Sequence, residues 1–437
     1  MTDTARTSLG DYVHVKHGFA FKGEYFTDDA TPDVLVTPGN FAIGGGFQDE
    51  KLKYYAGPVP DEYVLEQGDL VITMTDLSKA GDTLGYPALI PASTTKRYLH
   101  NQRVGLVEIH DEEQVDKRYL FYRLRASDYR HHILATASGS TVRHTSPGRI
   151  HQFELAPPAI DEQRAIAGVL GALDDKIEQN RRTAQALERL ARSIFRAWFV
   201  DFEPVKAKAA GATAFPSMPQ SVFDALPTRF VESDIGPVPE GWKVGAIKCL
   251  ATISKAQINP QDRPEEFVDH FSLPAYDAEM RPTVEAGTAI KSNKFLVVPG
   301  CVLFSKLNPR IARVWLPPLV AGRRQIASTE FLVFIPRQMS DRHYLYCQFQ
   351  QTAFREKLTQ DASGTSNSHQ RVRPDDVLNR PVIVPTAPIR IVFAGIADPL
   401  FALMSENQDE AARLATMRDY LLPKLLSGDV HVETAYG

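Results

Sequence analysis

The sequence predicts an α+β fold made twice over: two like domains joined by two long antiparallel coiled-coil helices, with an internal pseudo-twofold repeat. Two observations predict it. Sliding the chain along itself by 225 residues aligns 116–144 with 341–369 without gaps, and eight of the 29 positions are identical. The identities are Asp116/Asp341, Tyr119/Tyr344, Leu120/Leu345, Arg130/Arg355, Ala137/Ala362, Ser138/Ser363, Gly139/Gly364 and His144/His369. In addition, two long segments 227 residues apart place apolar residues at alternating steps of three and four, the spacing of a coiled-coil seam.

The first seam runs Leu170, Leu173, Ile177, Asn180, Ala184, Leu187, Ala191, Ile194, Trp198. The second runs Ala397, Leu400, Met404, Asn407, Ala411, Leu414, Arg418, Leu421, Leu425. Asn180 and Asn407 interrupt equivalent positions, where a buried amide fixes register, so the two are expected to meet. Each copy of the matched stretch reads as a helix opened by an Asp N-cap and stopped by a Gly, then a Ser/Thr loop. A Pro-containing strand follows at 153–158 and at 381–385, and then the long helix begins. Upstream, residues 64–78 and 296–309 share a Gly turn, an alternating strand and a polar loop, with a further strand at 102–110 and 329–336. Residues 204–240, rich in Pro, Ala and Ser, read as a connector with little structure.

The organisation is therefore a domain at 1–159, a central helix at 160–203, the connector at 204–240, a second domain at 241–388, a distal helix at 389–429 and a tail at 430–437. If the central helix leads from the first domain to the second, the distal helix must lead back, which makes the pair antiparallel. Residues 161–202 would span roughly 60 Å at a helical rise of 1.5 Å per residue.

The 437 residues permit two to four domains with proper cores, and 43% hydrophobic with 23% charged residues excludes a disordered or collagen-like chain. No unbroken apolar run approaches 18 residues, so a membrane span is not expected. Cys249, Cys301 and Cys347 form no CxxC and are expected to be reduced, buried thiols of a cytoplasmic protein. No GxxxxGKS/T, HExxH or GxSxG motif is present. Asn259-Pro260-Gln261 and Asn308-Pro309-Arg310 approach the Asn/Asp-Pro-Pro-aromatic pattern of amino-group methyl transfer but fail at its third residue. The chain thus reads as a binding protein, with no catalytic constellation, cofactor site or metal site of its own.

A net charge of −4 speaks against nucleic-acid binding only when taken whole. Residues 1–159 hold 16 basic and 21 acidic side chains, whereas 241–388 hold 19 and 13. Residues 291–324 contain Lys291, Lys294, Lys306, Arg310, Arg313, Arg323 and Arg324 and no acid. Residues 117–151 contain Lys117, Arg118, Arg123, Arg125, Arg130, Arg143 and Arg149 against Asp128 alone. Such clusters suit phosphate neutralisation, and forked Arg donors suit guanine edges. The repeated loops 137–144 and 362–369 offer Ser140, Thr141, Arg143 and His144, and Thr365, Ser366 and His369, as phosphate contacts. The loops after the central strands supply the candidate base readers: Thr73, Thr75, Asp76, Ser78 and Lys79 in one domain, Ser305, Lys306, Asn308, Arg310 and Arg313 in the other.

The chain resembles the specificity subunits of type I restriction-modification systems, the HsdS family, over nearly its whole length. The resemblance rests on GFAFKGEYF at 18–26, GDLVITMTDL at 68–77, PPAIDEQRAIAGVLGALDDKIEQNRR at 157–182, ARSIFRAWFVDFEPV at 191–205, FVESDIGPVPEGWKV at 230–244 and LLPKLLSGDV at 421–430. The second copy reads PTAPIRIVFAGIADPL at 385–400 and lacks the Glu-Gln pair, so a partner contact through Glu162 and Gln163 would be one-sided. The resemblance implies two target-recognition domains, each reading half of an asymmetric bipartite site on double-stranded DNA. It also implies helices that dock two methyltransferase subunits, and a motor-nuclease restriction subunit in the full complex, with S-adenosylmethionine, ATP and Mg on those partners. A coiled-coil scaffold without DNA recognition is the alternative, and it would show no salt-dependent DNA affinity.

Overall fold

The computed structural model describes residues 7–49, 51–319, 322–361 and 370–432. The chain divides into two compact units, Met1–Gln179 with Glu410–Gly437, and Asn180–Asp409. Each long helix contributes to both, because the central helix is continuous over Ile160–Phe199 and the distal helix over Ala387–Ser427.

In the first unit, an antiparallel sheet takes the order Val13–His17, Val104–Ile109, Leu70–Thr73, Pro87–Leu89. A second, mixed sheet takes the order Phe26–Thr27, Lys53–Tyr55, Asp33–Val36, Arg97–His100, Val64–Leu65, and its middle pair is parallel. Leu70–Thr73 is buried at every position, as a strand covered on both faces must be. The strand enters from Gly68, whose φ of +82° is open to glycine at no steric cost.

The second unit repeats the plan. Its antiparallel sheet runs Ala251–Ser254, Phe331–Pro336, Val302–Ser305, Val314–Trp315. The mixed sheet runs Gln257–Ile258, Lys294–Leu296, Arg324–Ala327, Phe267–Phe271, Thr283–Ala286, again around one parallel pair. Gly300, with φ +81°, is the counterpart of Gly68, and Val302–Ser305 is buried throughout.

The helix expected in each matched stretch is broken in two. Lys117–Arg123 is followed by Ser127–Thr136, and Arg342–Gln350 by Thr352–Asp361. The break turns Tyr119, Leu120, Tyr129 and Ile133 into one core in the first unit, and Tyr344, Leu345, Phe354 and Leu358 into one in the second. Residues 153–158 form an extended segment with a single bridge, Glu154 to Ser8, instead of a strand, while Pro381–Val384 is a strand paired with Lys243–Ala246.

Residues 204–240 are not a loose connector. They hold helices Glu203–Ala209 and Gln220–Asp224 and a hairpin of Phe230–Val231 with Val238–Pro239. Val205, Met218, Phe223 and Leu226 are buried in the second unit's core, apolar anchors that the surrounding Pro, Ala and Ser obscure. All three cysteines are free, but Cys249 is exposed. Burial pushes the Cys301 thiol up to about 12.

The long helices follow the seam. Gln163, Leu170, Ile177, Ala184, Ala191 and Trp198, each seven residues from the last, are all at most 3% exposed. Asn180 is buried, whereas Leu173, Leu187 and Ile194 are half-buried. On the distal helix, Ala397, Ala411 and Leu425 are buried and Leu400, Met404, Asn407, Leu414 and Leu421 half-buried. The Asn407 amide donates to the Leu403 carbonyl of its own helix (2.7 Å). Within the first unit Asp174 meets Arg418 (2.7 Å) and Lys176 meets Glu410 (3.7 Å). Within the second, Glu188 and Phe401 both meet Tyr346, and Phe195 meets Phe393. In each unit the partner number falls as the central-helix number rises, so the helices run antiparallel. The first half of the distal helix is apolar enough over 18 residues to pass as a membrane span by composition. Ile389, Phe393, Ala397 and Phe401 from that stretch are instead buried in the second unit's core.

Gln163 is wholly buried and makes no outward contact. Its Oε1 accepts from the Asp116 N–H (3.0 Å), and its Nε2 donates to the carbonyls of Gln114 (2.9 Å) and Pro158 (2.8 Å). The equivalent residue 227 positions later is Arg390, which donates to the Pro385 carbonyl (3.2 Å) and pairs with the buried Asp341. Asp341 therefore does not cap its helix as Asp116 does, and burial raises its carboxyl pKa against the pull of Arg390. Arg390→Met strands a buried carboxylate and should cost about 3 to 5 kcal/mol in chemical denaturation. Adding Asp341→Asn should recover much of that loss, and independent, additive effects of the two changes would contradict the clamp.

Candidate nucleic-acid interface

In the first unit, the loop after the central strand and the repeated Ser/Thr loop, far apart in sequence, are joined. Thr75–Asp76 pairs antiparallel with Arg143–His144, placing Asp76 opposite Arg143 and Thr75 opposite His144. The Thr75 hydroxyl lies 3.2 Å from His144 Nδ1, and the Arg143 Nε donates to the Lys79 carbonyl (3.2 Å). The second loop doubles back through reciprocal backbone bonds between Ser138 and His144. Gly139, at φ +91°, leaves no room there: a Cβ would stand 2.0 Å from the Val142 carbonyl oxygen. Arg149, which sequence reasoning left among the general basic residues, donates to the Ser138 hydroxyl (2.9 Å) and braces this turn.

The predicted readers separate into frame and face. Thr73 is buried and donates to the Thr75 carbonyl (2.9 Å). Asp76 is 5% exposed and accepts from the Ser78 N–H (2.6 Å), the Thr83 N–H (2.5 Å) and the Thr83 hydroxyl (2.8 Å). Burial alone would raise the Asp76 pKa, but these donors hold it below the usual carboxylate range. Asp76 is thus turned inward and shapes the 77–83 loop, which Ser78 also tightens by accepting from the Asp82 N–H (2.9 Å). Lys79, Ser140, Thr141 and His144 are exposed, and Leu77 between them is 65% exposed.

The second unit carries the same zip. Leu307 bridges Arg371, the Asn308 N–H donates to the Gln370 carbonyl (2.9 Å), and the Val372 N–H donates to the Lys306 carbonyl (3.1 Å). Ser305 is buried and donates to the Leu307 carbonyl (3.1 Å), as Thr73 does to Thr75. Asn308 holds φ +50°, a left-handed conformation that Asn tolerates better than most residues. Lys291 and Arg310 are exposed and Lys306 half-buried. Thr365, Ser366 and His369 lie outside the described residues.

The acid-free basic run is not acid-free in space. Arg313 pairs with Asp277 through two bonds (2.6 and 2.8 Å), Arg323 with Asp269 (2.8 Å) and Arg324 with Glu266 (3.0 Å). Lys294 is buried and donates to the Ser292 hydroxyl (2.6 Å), and burial lowers its pKa. These four brace the unit: folding brings Asp277, Asp269 and Glu266 onto the three Arg, and Lys294 turns inward onto Ser292. The basic helices of the first unit behave likewise: Arg118 reaches Asp175, Arg123 pairs with Asp128, Arg125 with Asp174, and Arg130 donates to the Gly81 and Leu84 carbonyls. Among the described residues no group of three or more His, Cys, Asp or Glu side chains could hold a metal ion. The arrangement offers hydroxyls, backbone donors and a few exposed cations on a pinned loop pair, which suits contact with a polyanion.

No family model matches the chain. It is 25% identical over 346 residues to the type I restriction enzyme MjaIX specificity subunit of Methanocaldococcus jannaschii, covering 75% of this chain and 72% of that one. It is 24% identical over 345 residues to the HindI specificity subunit of Haemophilus influenzae, covering 68% and 73%. In fold it is similar to the crystal structure of a type I restriction-modification S subunit from M. genitalium, with a TM-score of 0.60 at 13% identity over 98% of both chains. Sequence likeness over two thirds or more of the chain and a shared fold along nearly all of it agree: the chain is similar to type I restriction enzyme specificity subunits in sequence and to an S subunit in fold.

Proposed function

We propose that this chain is the DNA specificity subunit of a type I restriction-modification complex, in which each unit reads one half of an asymmetric bipartite site. The observation that carries the reading is the zipped loop pair, built the same way in both units and differing in its exposed residues. In the first unit, Lys79, Ser140, Thr141, Arg143 and His144 face the DNA, on a frame made by Thr73, Thr75, Asp76 and Ser78. In the second, Lys291, Lys306 and Arg310 do so, with Asn308 setting the loop and Arg313, Arg323, Arg324 and Lys294 bracing it. Because the exposed sets differ, the two half-sites differ.

The long helices act as the spacer and dock two methyltransferase subunits, and a restriction subunit completes the cutting form. The chain itself is not catalytic in this reading. S-adenosylmethionine, ATP and Mg belong to the partners, and the complex works in the cytoplasm, where its DNA is.

Co-expression with its methyltransferase partner, followed by sequencing of methylated adenines, should reveal one bipartite motif. Methylation without any recurring motif would contradict the reading. Lys79→Ala with Arg143→Ala should weaken DNA binding roughly tenfold, a loss of about 1.4 kcal/mol, and relax only one half of the motif. Relaxation of both halves together would remove the assignment of one unit to one half.

A further inference from the structure

The second unit contains an elongated groove of about 910 Å³ between the distal helix and the loops around Trp315–Leu319 and Met339–His343. Along the helix it extends from Ile391 to Asp409, roughly 27 Å at 1.5 Å per residue, a length that suits a helix better than a compact metabolite. Trp315, Leu316, Phe401 and Met404 give it apolar walls. Asp398, Glu406 and Asp409 give it an acidic side. His343 stacks on Phe401 (4.7 Å, 7°) and lies 2.6 Å from Asp398. Burial first, and Arg342 next, hold His343 down to about 4, so the imidazole is neutral near pH 7. Arg281 pairs with Asp409 (3.0 Å). The remaining charged lining group is Arg342, whose Nη2 donates to the Pro317 carbonyl (2.5 Å) and whose Nε has no acceptor.

The first unit does not have this groove's key positions. Arg118 stands where the second repeat has His343, and Gly171 where it has Asp398. The Arg118 guanidinium lies over Gly171, 2.6 Å from where a Cβ would stand, and reaches Asp175. Asp174, the counterpart of Phe401, is bonded to Arg125, which also holds the Gly44 carbonyl (2.7 Å). The space that is open in one repeat is thus occupied by a polar network in the other.

We propose that the groove seats a basic amphipathic helix of the methyltransferase copy docked by the second unit, so that the two methyltransferase copies are held unequally. The inference rests on the function proposed above. Apolar residues of that helix fill the Trp315–Phe401 walls, and its Lys or Arg residues meet Asp398 and Glu406. A site present in one repeat and filled in the other gives a nearly symmetric scaffold a direction.

The test titrates the full chain with the methyltransferase subunit and resolves the two binding steps by native mass spectrometry. Gly395 lies on the groove wall, and a Cβ there meets nothing within 4 Å, so Gly395→Trp places an indole in the open space of the groove. In the wild type the two dissociation constants should differ by about tenfold or more. Gly395→Trp should weaken the tighter step until the two lie within about threefold, and Glu406→Lys should act in the same direction. Equal steps in the wild type, or an undiminished difference in both variants, overturns the inference and leaves the specificity-subunit reading standing. Failure of the wild type to bind the methyltransferase at all overturns both.

Discussion

The structure depends on how the start of each long helix is fastened to the domain before it. Three residues inside the central helix, Gln163 satisfies the backbone at Gln114, Asp116 and Pro158, so the helix cannot swing without exposing three polar groups. The second copy reaches the same end with Arg390, Asp341 and the Pro385 carbonyl. One solution is neutral and the other ionic, yet both tie the helix start to the same Asp position, 116 or 341, and to the proline before the helix, Pro158 or Pro385. The missing Glu-Gln pair in the second copy is therefore a rebuilt clamp. From these fixed points the seam residues enter each core and the sheets find their places against them.

Much of this was legible in the chain. The repeat, the Gly68 and Gly300 turns and the existence of a strand after each announce themselves through spacing and residue type, which are local properties, whereas those strands are buried at every position instead of alternating. What was hidden is non-local. Arg313, Arg323 and Arg324 look unpaired because Asp277, Asp269 and Glu266 are 36 to 58 residues away in the chain. Gln163 looks like a surface residue of a helix start until its amide is seen to face inward. Val205 and Phe223 sit among Pro and Ala, so composition hid their burial. Asp76 stands in the right loop for a base contact, but three donors on its carboxylate make it part of the frame.

The same distinction between frame and face explains how one fold can serve different sequences. Thr73, Asp76 and Ser305 spend their polar groups inside the loops, which makes the loops stiff. The residues left outside, Lys79 and Thr141 in one unit and Lys306 and Arg310 in the other, can vary without disturbing the zip. A rigid frame with a variable face is what discrimination between base pairs requires, because a mobile side chain would adapt to the wrong edge.

If the two units are independent readers joined only through the helices, the distance between half-sites is a property of the helices alone. Inserting four residues, about one helical turn, at equivalent places in both helices and sequencing the methylated adenines measures this directly. The account predicts a longer gap between two unchanged half-sites. An unchanged gap, or a change in either half-site, would contradict it.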